Sequence, residues 1–200
     1  EGQRFASPYL RFFPRTVTLG PNEAQTVKLQ VVRGGTLEPG EYRSHLYFRA
    51  VPKEKPLGEE EAAVADPSSI SVQLTPIFGI TIPAIIRIGE PSAGVTITEP
   101  RLRFENDTLP VLSIVFSRSG NYSAYGDLAV DHVSPQGTVT RVGIANGVAV
   151  YTPNTRRRFE FGLINTDGVD LTGGRLLITF SAPSDVKPEK YAEAVLQLGK

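Results

Sequence analysis

Two histidines, His45 and His132, and no cysteine are available in this 200-residue chain for general acid–base, nucleophilic or thiolate-metal chemistry. Catalysis of that kind usually draws on a histidine, a cysteine or converging carboxylates. His45 falls in an alternating stretch with Arg43, Tyr47 and Arg49 on its own face, which reads as a strand surface. Asp131 and His132 are neighbours in another such stretch, so they point to opposite sides of a sheet and cannot act as a pair. Two histidines so far apart are also a poor metal-ligand set. Gly173-Gly174-Arg175 precedes a strand pattern, whereas a phosphate-binding loop needs a helix N-terminus behind it. Arg156-Arg157-Arg158 alternate faces in an extended chain and read as a solvated strand edge. Asn106-Asp107-Thr108 and Asn121-Tyr122-Ser123 match the glycosylation acceptor pattern, which has meaning only for a secreted eukaryotic source. No enzymatic activity, no metal and no cofactor are expected from these residues.

Composition bounds the partner. Lysine plus arginine number 21, aspartate plus glutamate 21, so the long-range field that draws a chain to nucleic acid or anionic lipid is missing. Recognition is expected to rest on shape and local contacts, with no nucleic acid and no membrane insertion. Residues 67–86 carry no charge, yet their serines, threonines and glutamine, with prolines at 76 and 83, leave them too polar for a transmembrane helix. The chain has no methionine and no basic-then-apolar leader, which leads to the expectation of a processed chain or a fragment.

Period-2 patterning, β-branched residues and Gly/Pro/Asn/Asp clusters recur throughout, and no apolar stripe persists at helical spacing over three turns. The fold class is therefore all-β. Strands are expected at 10–19, 25–32, 42–51, 70–88, 95–104, 111–117, 124–133, 138–144, 148–151, 159–165, 175–182 and 192–198. Asn146-Gly147 is the best two-residue hairpin signal among the turns. Residues 53–66, acidic at Glu59, Glu60 and Glu61, read as a mobile loop. A boundary near residues 89–93 divides the chain into 1–90 and 91–200, both expected as immunoglobulin-like β-sandwiches. The first half offers only four clear strands where such a sandwich has about seven, so its opening strands are expected to be missing.

The strongest pattern is residues 77–88 (IFGITIPAIIRI), whose even positions Phe78, Ile80, Ile82, Ala84, Ile86 and Ile88 are all apolar. Pro83 cannot donate a ladder hydrogen bond, which moves the strand toward a sheet edge. An apolar edge strand invites aggregation unless another chain uses it by adding a strand and taking alternate side chains into a groove. The same alternation also fits an ordinary core strand.

Four segments together resemble the periplasmic pilus chaperones of the chaperone-usher pathway, in their divergent, archaic branch. They are PRTVTLGP at 14–21 with QTVKL at 25–29, PGEYRSHLYFRAVP at 39–52, the strand at 78–87, and DLTGGR at 170–175. The resemblance implies a periplasmic chaperone that binds pilin subunits by donor-strand complementation and hands them to an outer-membrane usher. It implies that Phe78, Ile80 and Ile82, extended by Ile86, plug the pilin groove. It further implies a charge network of Glu41, Arg87 and Asp170 that fixes the angle between domains through charge-assisted hydrogen bonds. The family's anchor for the pilin's terminal carboxylate does not map here, because Pro83 stands where its lysine belongs; Arg43 and Arg49 are the candidate replacements. The alternative reading is a non-enzymatic structural or adhesive pair of immunoglobulin-like modules, in which residues 77–88 form a core strand.

Overall fold

A computed structural model describes residues 2–51, 76–106, 108–164, 166–183 and 189–199. The expected loop at 53–66 and the first part of the expected strand at 70–88 lie outside them. The chain is all-β: eleven strands and two single-turn 3-10 segments account for its regular structure among the described residues. Among those residues no helix is long and apolar enough to cross a membrane.

Two compact units result, one of Glu1–Arg4, Arg33–Tyr42 and Ile86–Lys200, the other of Phe5–Val32 and Arg43–Ile85. The larger unit holds a β-sandwich. One sheet has β5 (Ala93–Glu105), β6 (Leu109–Gly120) and β9 (Arg156–Gly162), in the order β5-β6-β9. The other has β7 (Ala124–Val133), β8 (Val139–Val150), β10 (Arg175–Ser181) and β11 (Lys190–Gln197), in the order β11-β10-β7-β8. Alternation sends Leu112, Ile114 and Phe116 of β6 inward to meet Leu128 and Val130 of β7 and Leu176, Ile178 and Phe180 of β10. All eight are fully shielded, and the Phe116 and Phe180 rings meet tilted by 57°, 5.0 Å between centroids. Each such side chain contributes roughly 1.5–3 kcal/mol by leaving water. On the outer face of the three-stranded sheet, Val111 and Val115 are also buried, and the registers place the long side chains of Arg103 and Arg158 opposite them.

The Asn146-Gly147 pair makes no hairpin. β8 runs through it, and the register along β7 slips between Gly126 and Leu128 to absorb an extra residue. The Asp127 carboxylate accepts the Gly147 N–H at 2.9 Å, and Gly147 takes a positive φ of 69°, so the turn chemistry serves a β-bulge. The apolar runs on both sides pair with the same neighbour and feed the same core, and that burial outweighs local turn preference.

The smaller unit pairs β1 (Leu10–Phe13) with β2 (Lys28–Val31). β1 is shorter than the expected strand at 10–19, stopping before Pro14, which has no N–H to continue a ladder. Leu10 and Phe12 lie opposite Val31 and Leu29, giving one apolar face. The unit also contains most of a two-stranded ribbon, β3 (Gly40–Arg49) with β4 (Gly79–Ile88). Ala6 is the only described residue of this unit that is buried.

Candidate functional site

β3 and β4 begin and end in different environments. Along the even face of β4 and the residue before it, exposure falls from 77% at Phe78 to 68% at Ile80, 48% at Ile82 and 8% at Ile86. Phe78, Ile80 and Ile82 therefore stand in solvent, and the row's last member, Ile86, is packed inside the larger unit. The odd face is uneven. Gly79 has no side chain, and Tyr47 occupies the space a Cβ would need, at 2.6 Å from it. Arg43 is half-buried in the middle of β3, and Arg49 is exposed at its end.

At the buried end a carboxylate organises the backbone. The Glu41 side chain is completely shielded and accepts from Arg87 Nε at 3.2 Å, from the Ser123 N–H at 3.2 Å and from the Ser123 hydroxyl. Ser123 Oγ in turn accepts the Thr152 N–H at 3.0 Å. The Arg87 guanidinium lies 5.5 Å from the centre of the Tyr122 ring, and the Tyr122 hydroxyl donates to the Gly89 carbonyl at 2.8 Å. A buried carboxylate is tolerable only when its oxygens are hydrogen-bonded, and here each has a donor. Arg87 keeps half its side chain in water, so its charge contributes less than the geometry suggests.

The loop that supplies Tyr122 and Ser123 is shaped by Arg118. This buried guanidinium donates to the carbonyls of Gly120 at 2.8 Å, Tyr122 at 2.9 Å and Asn154 at 3.0 Å. Gly120 adopts φ 89°, and a Cβ there would sit 2.0 Å from the Ser92 carbonyl oxygen, so the turn requires glycine.

Glu41 and Arg87 thus meet, and Asp170 is bonded elsewhere. Its carboxylate caps its own turn, accepting from the Thr172 hydroxyl and from the Thr172 N–H at 2.9 Å. Those two donors, the hydroxyl foremost, hold the Asp170 carboxyl below the usual range. Ser123 occupies the place of a third member, and Glu41, Arg87 and Ser123 all belong to the same compact unit. Asn121-Tyr122-Ser123 is in sequence only a glycosylation pattern; the signal for Arg118 is that it is the one charged residue of its strand, LPVLSIVFSRSG.

The remaining candidates sit in structural roles. His132 is buried with Nε2 2.9 Å from the Gly173 carbonyl oxygen, and Asp131 pairs with Arg141 on the opposite face. Arg141 is held above its ordinary pKa chiefly by that hydrogen bond. His45 is exposed on β3. Arg156 pairs with Glu99 at 2.9 Å, and Arg157 turns to the other face to donate to the Ala149 carbonyl. Searches against protein-family models, curated proteins and solved structures returned no match.

Proposed function

We propose that this protein is a periplasmic chaperone of the chaperone-usher type, which stabilises pilin subunits by lending them β4 and delivers them to an outer-membrane usher. The carrying observation is the row Phe78, Ile80 and Ile82, apolar, extended and exposed, on a strand whose continuation is fixed at Ile86. A free apolar row on a held strand suits strand addition, in which main-chain hydrogen bonds supply affinity and alternate side chains fill pockets. Ile86 in this reading anchors the strand and does not enter the groove.

The strand order of the larger unit supports an immunoglobulin-like module there. Lettered A to G, β5–β11 give A-B-E in one sheet and D-C-F-G in the other, the constant-type arrangement with its fourth strand moved beside the third. Arg43 and Arg49 lie on the partner strand of the ribbon and are the candidate anchors for a terminal carboxylate. The alternative, a structural or adhesive module with β4 as core, is disfavoured by the exposure of its first half.

The test is capture of a co-expressed pilin subunit. Ile80→Asp is expected to fold as the parent does and to lose capture. Undiminished capture by folded Ile80→Asp would sink the strand-lending role.

A further inference from the structure

We infer that Pro83 sets the limit of the edge that an incoming strand can use on β4, confining its ladder to residues 77–82. The inference rests on the strand-lending reading above and adds the register of the added strand.

Two contacts fix how β3 and β4 face each other. The Ala50 N–H donates to the Phe78 carbonyl at 2.9 Å, so these two residues face each other in a hydrogen-bonded pair. The Glu41 and Arg87 side chains meet at 3.2 Å, as directly opposed residues do on one face. The step from Ala50 back to Glu41 equals the step from Phe78 on to Arg87, so a single antiparallel register without a bulge serves both. Even-numbered residues of β4 then spend their N–H and C=O groups on β3. Gly79, Thr81, Pro83 and Ile85 turn theirs to the opposite edge, which carries no strand among the described residues.

Pro83 has no N–H, and in this register the missing donor costs the β3–β4 ladder nothing. Its effect falls wholly on the open edge. An incoming strand finds donors at Gly79 and Thr81 and then a gap, where its own carbonyl would be desolvated without a partner. The side chains change character at the same place. Ile82, before Pro83, is exposed, Ala84 is half-buried and Ile86 is buried. Backbone and side-chain offers therefore end together, and the proline keeps the usable edge short, which also blunts edge-to-edge association.

The probe is a synthetic peptide of alternating valine and threonine with a lysine at each end, and the readout is residue-resolved amide exchange on the full chain. In the free chain Gly79, Thr81 and Ile85 should exchange faster than Ile80 and Ile82; the reverse order would overturn the register and the inference with it. With saturating peptide, protection should appear at Gly79 and Thr81 and be absent at Ile85. Pro83→Val, an exposed site, should extend protection to residues 83 and 85 and tighten binding about fivefold to thirtyfold, the worth of one or two hydrogen bonds. Thr81→Pro should move the limit back and weaken binding. Protection at Ile85 in the parent chain, or an unchanged reach in Pro83→Val, overturns the limit while leaving strand lending intact. No protection of β4 in either protein overturns both.

Discussion

The sandwich of β5–β11 and the unit that carries β1, β2 and most of the β3–β4 ribbon are built from the same antiparallel strands, and they dispose of their apolar side chains in opposite ways. In the sandwich, alternate residues of both sheets close on Phe116 and Phe180, and Leu112, Ile114, Leu128 and Ile178 see no solvent. In the other unit only Ala6 is buried among the described residues, and Phe13, Val51, Phe78 and Ile80 are each at least two-thirds exposed. Period-2 patterning is necessary for both outcomes and selects neither. The difference is whether a second sheet faces the apolar side, and two-stranded pairs on their own lack the layers that make a β-unit independently stable.

The largest effects should come from cutting into the closed region. Phe116→Ala or Phe180→Ala is expected to cost about 3–5 kcal/mol, read as a fall in the denaturant midpoint of the sandwich. Ile80→Ala, of the same chemistry on the open strand, should cost less than about 0.5 kcal/mol by the same measurement. Equal losses at the two sites would erase the contrast.

A second comparison separates the buried end of β4 from its exposed end. Glu41→Ala leaves the Ser123 N–H and hydroxyl without their acceptor, at about 1–3 kcal/mol for each buried donor not rescued by water. Arg87→Ala should cost less, about 1 kcal/mol or under, because half of that side chain is already in water. Chemical denaturation of the two variants side by side checks the ranking.

Acid should act on the sandwich through Asp170. Its folded-state pKa lies below the unfolded value, so its contribution is present above the ordinary aspartate range near ~4 and is lost as pH falls through the lower folded value. Thr172→Val, which removes the hydroxyl donor, should shrink this acid sensitivity, measured as the difference in midpoint between parent and variant across that window. The smallest effect is expected at Arg156→Ala. Its pair with Glu99 is largely exposed, and such pairs contribute about 0–1 kcal/mol.

The strands on both sides of this contrast are legible in the amino-acid sequence; which of them is covered is not. The all-β class follows from alternation and turn residues, and β7 starts and ends where its pattern does, at Ala124 and Val133. Phe78, Ile80, Ile82 and Ile86 form one pattern in sequence, but pattern does not say that Ile86 is packed and the others bare, because burial depends on what lies opposite. Asn146-Gly147 misleads for the same reason: its turn preference is local, and pairing of both flanks with β7 is not. Glu41 and Arg87 are recoverable only through resemblance. Ser123, Tyr122 and Arg118 are not, since serine and tyrosine in a turn have many uses and the carbonyls that hold Arg118 are invisible in sequence.

If a partner covers the exposed half of β4 and leaves its buried end alone, thiol labelling along the strand reports it. The chain contains no cysteine, so single substitutions give an unambiguous thiol probe. Ile80→Cys and Ile86→Cys should be labelled by a maleimide in the free protein at very different rates, Ile80→Cys fast and Ile86→Cys slow. In the complex with captured pilin, labelling of Ile80→Cys should fall to the rate of Ile86→Cys; equal labelling of Ile80→Cys with and without bound pilin would contradict the claim.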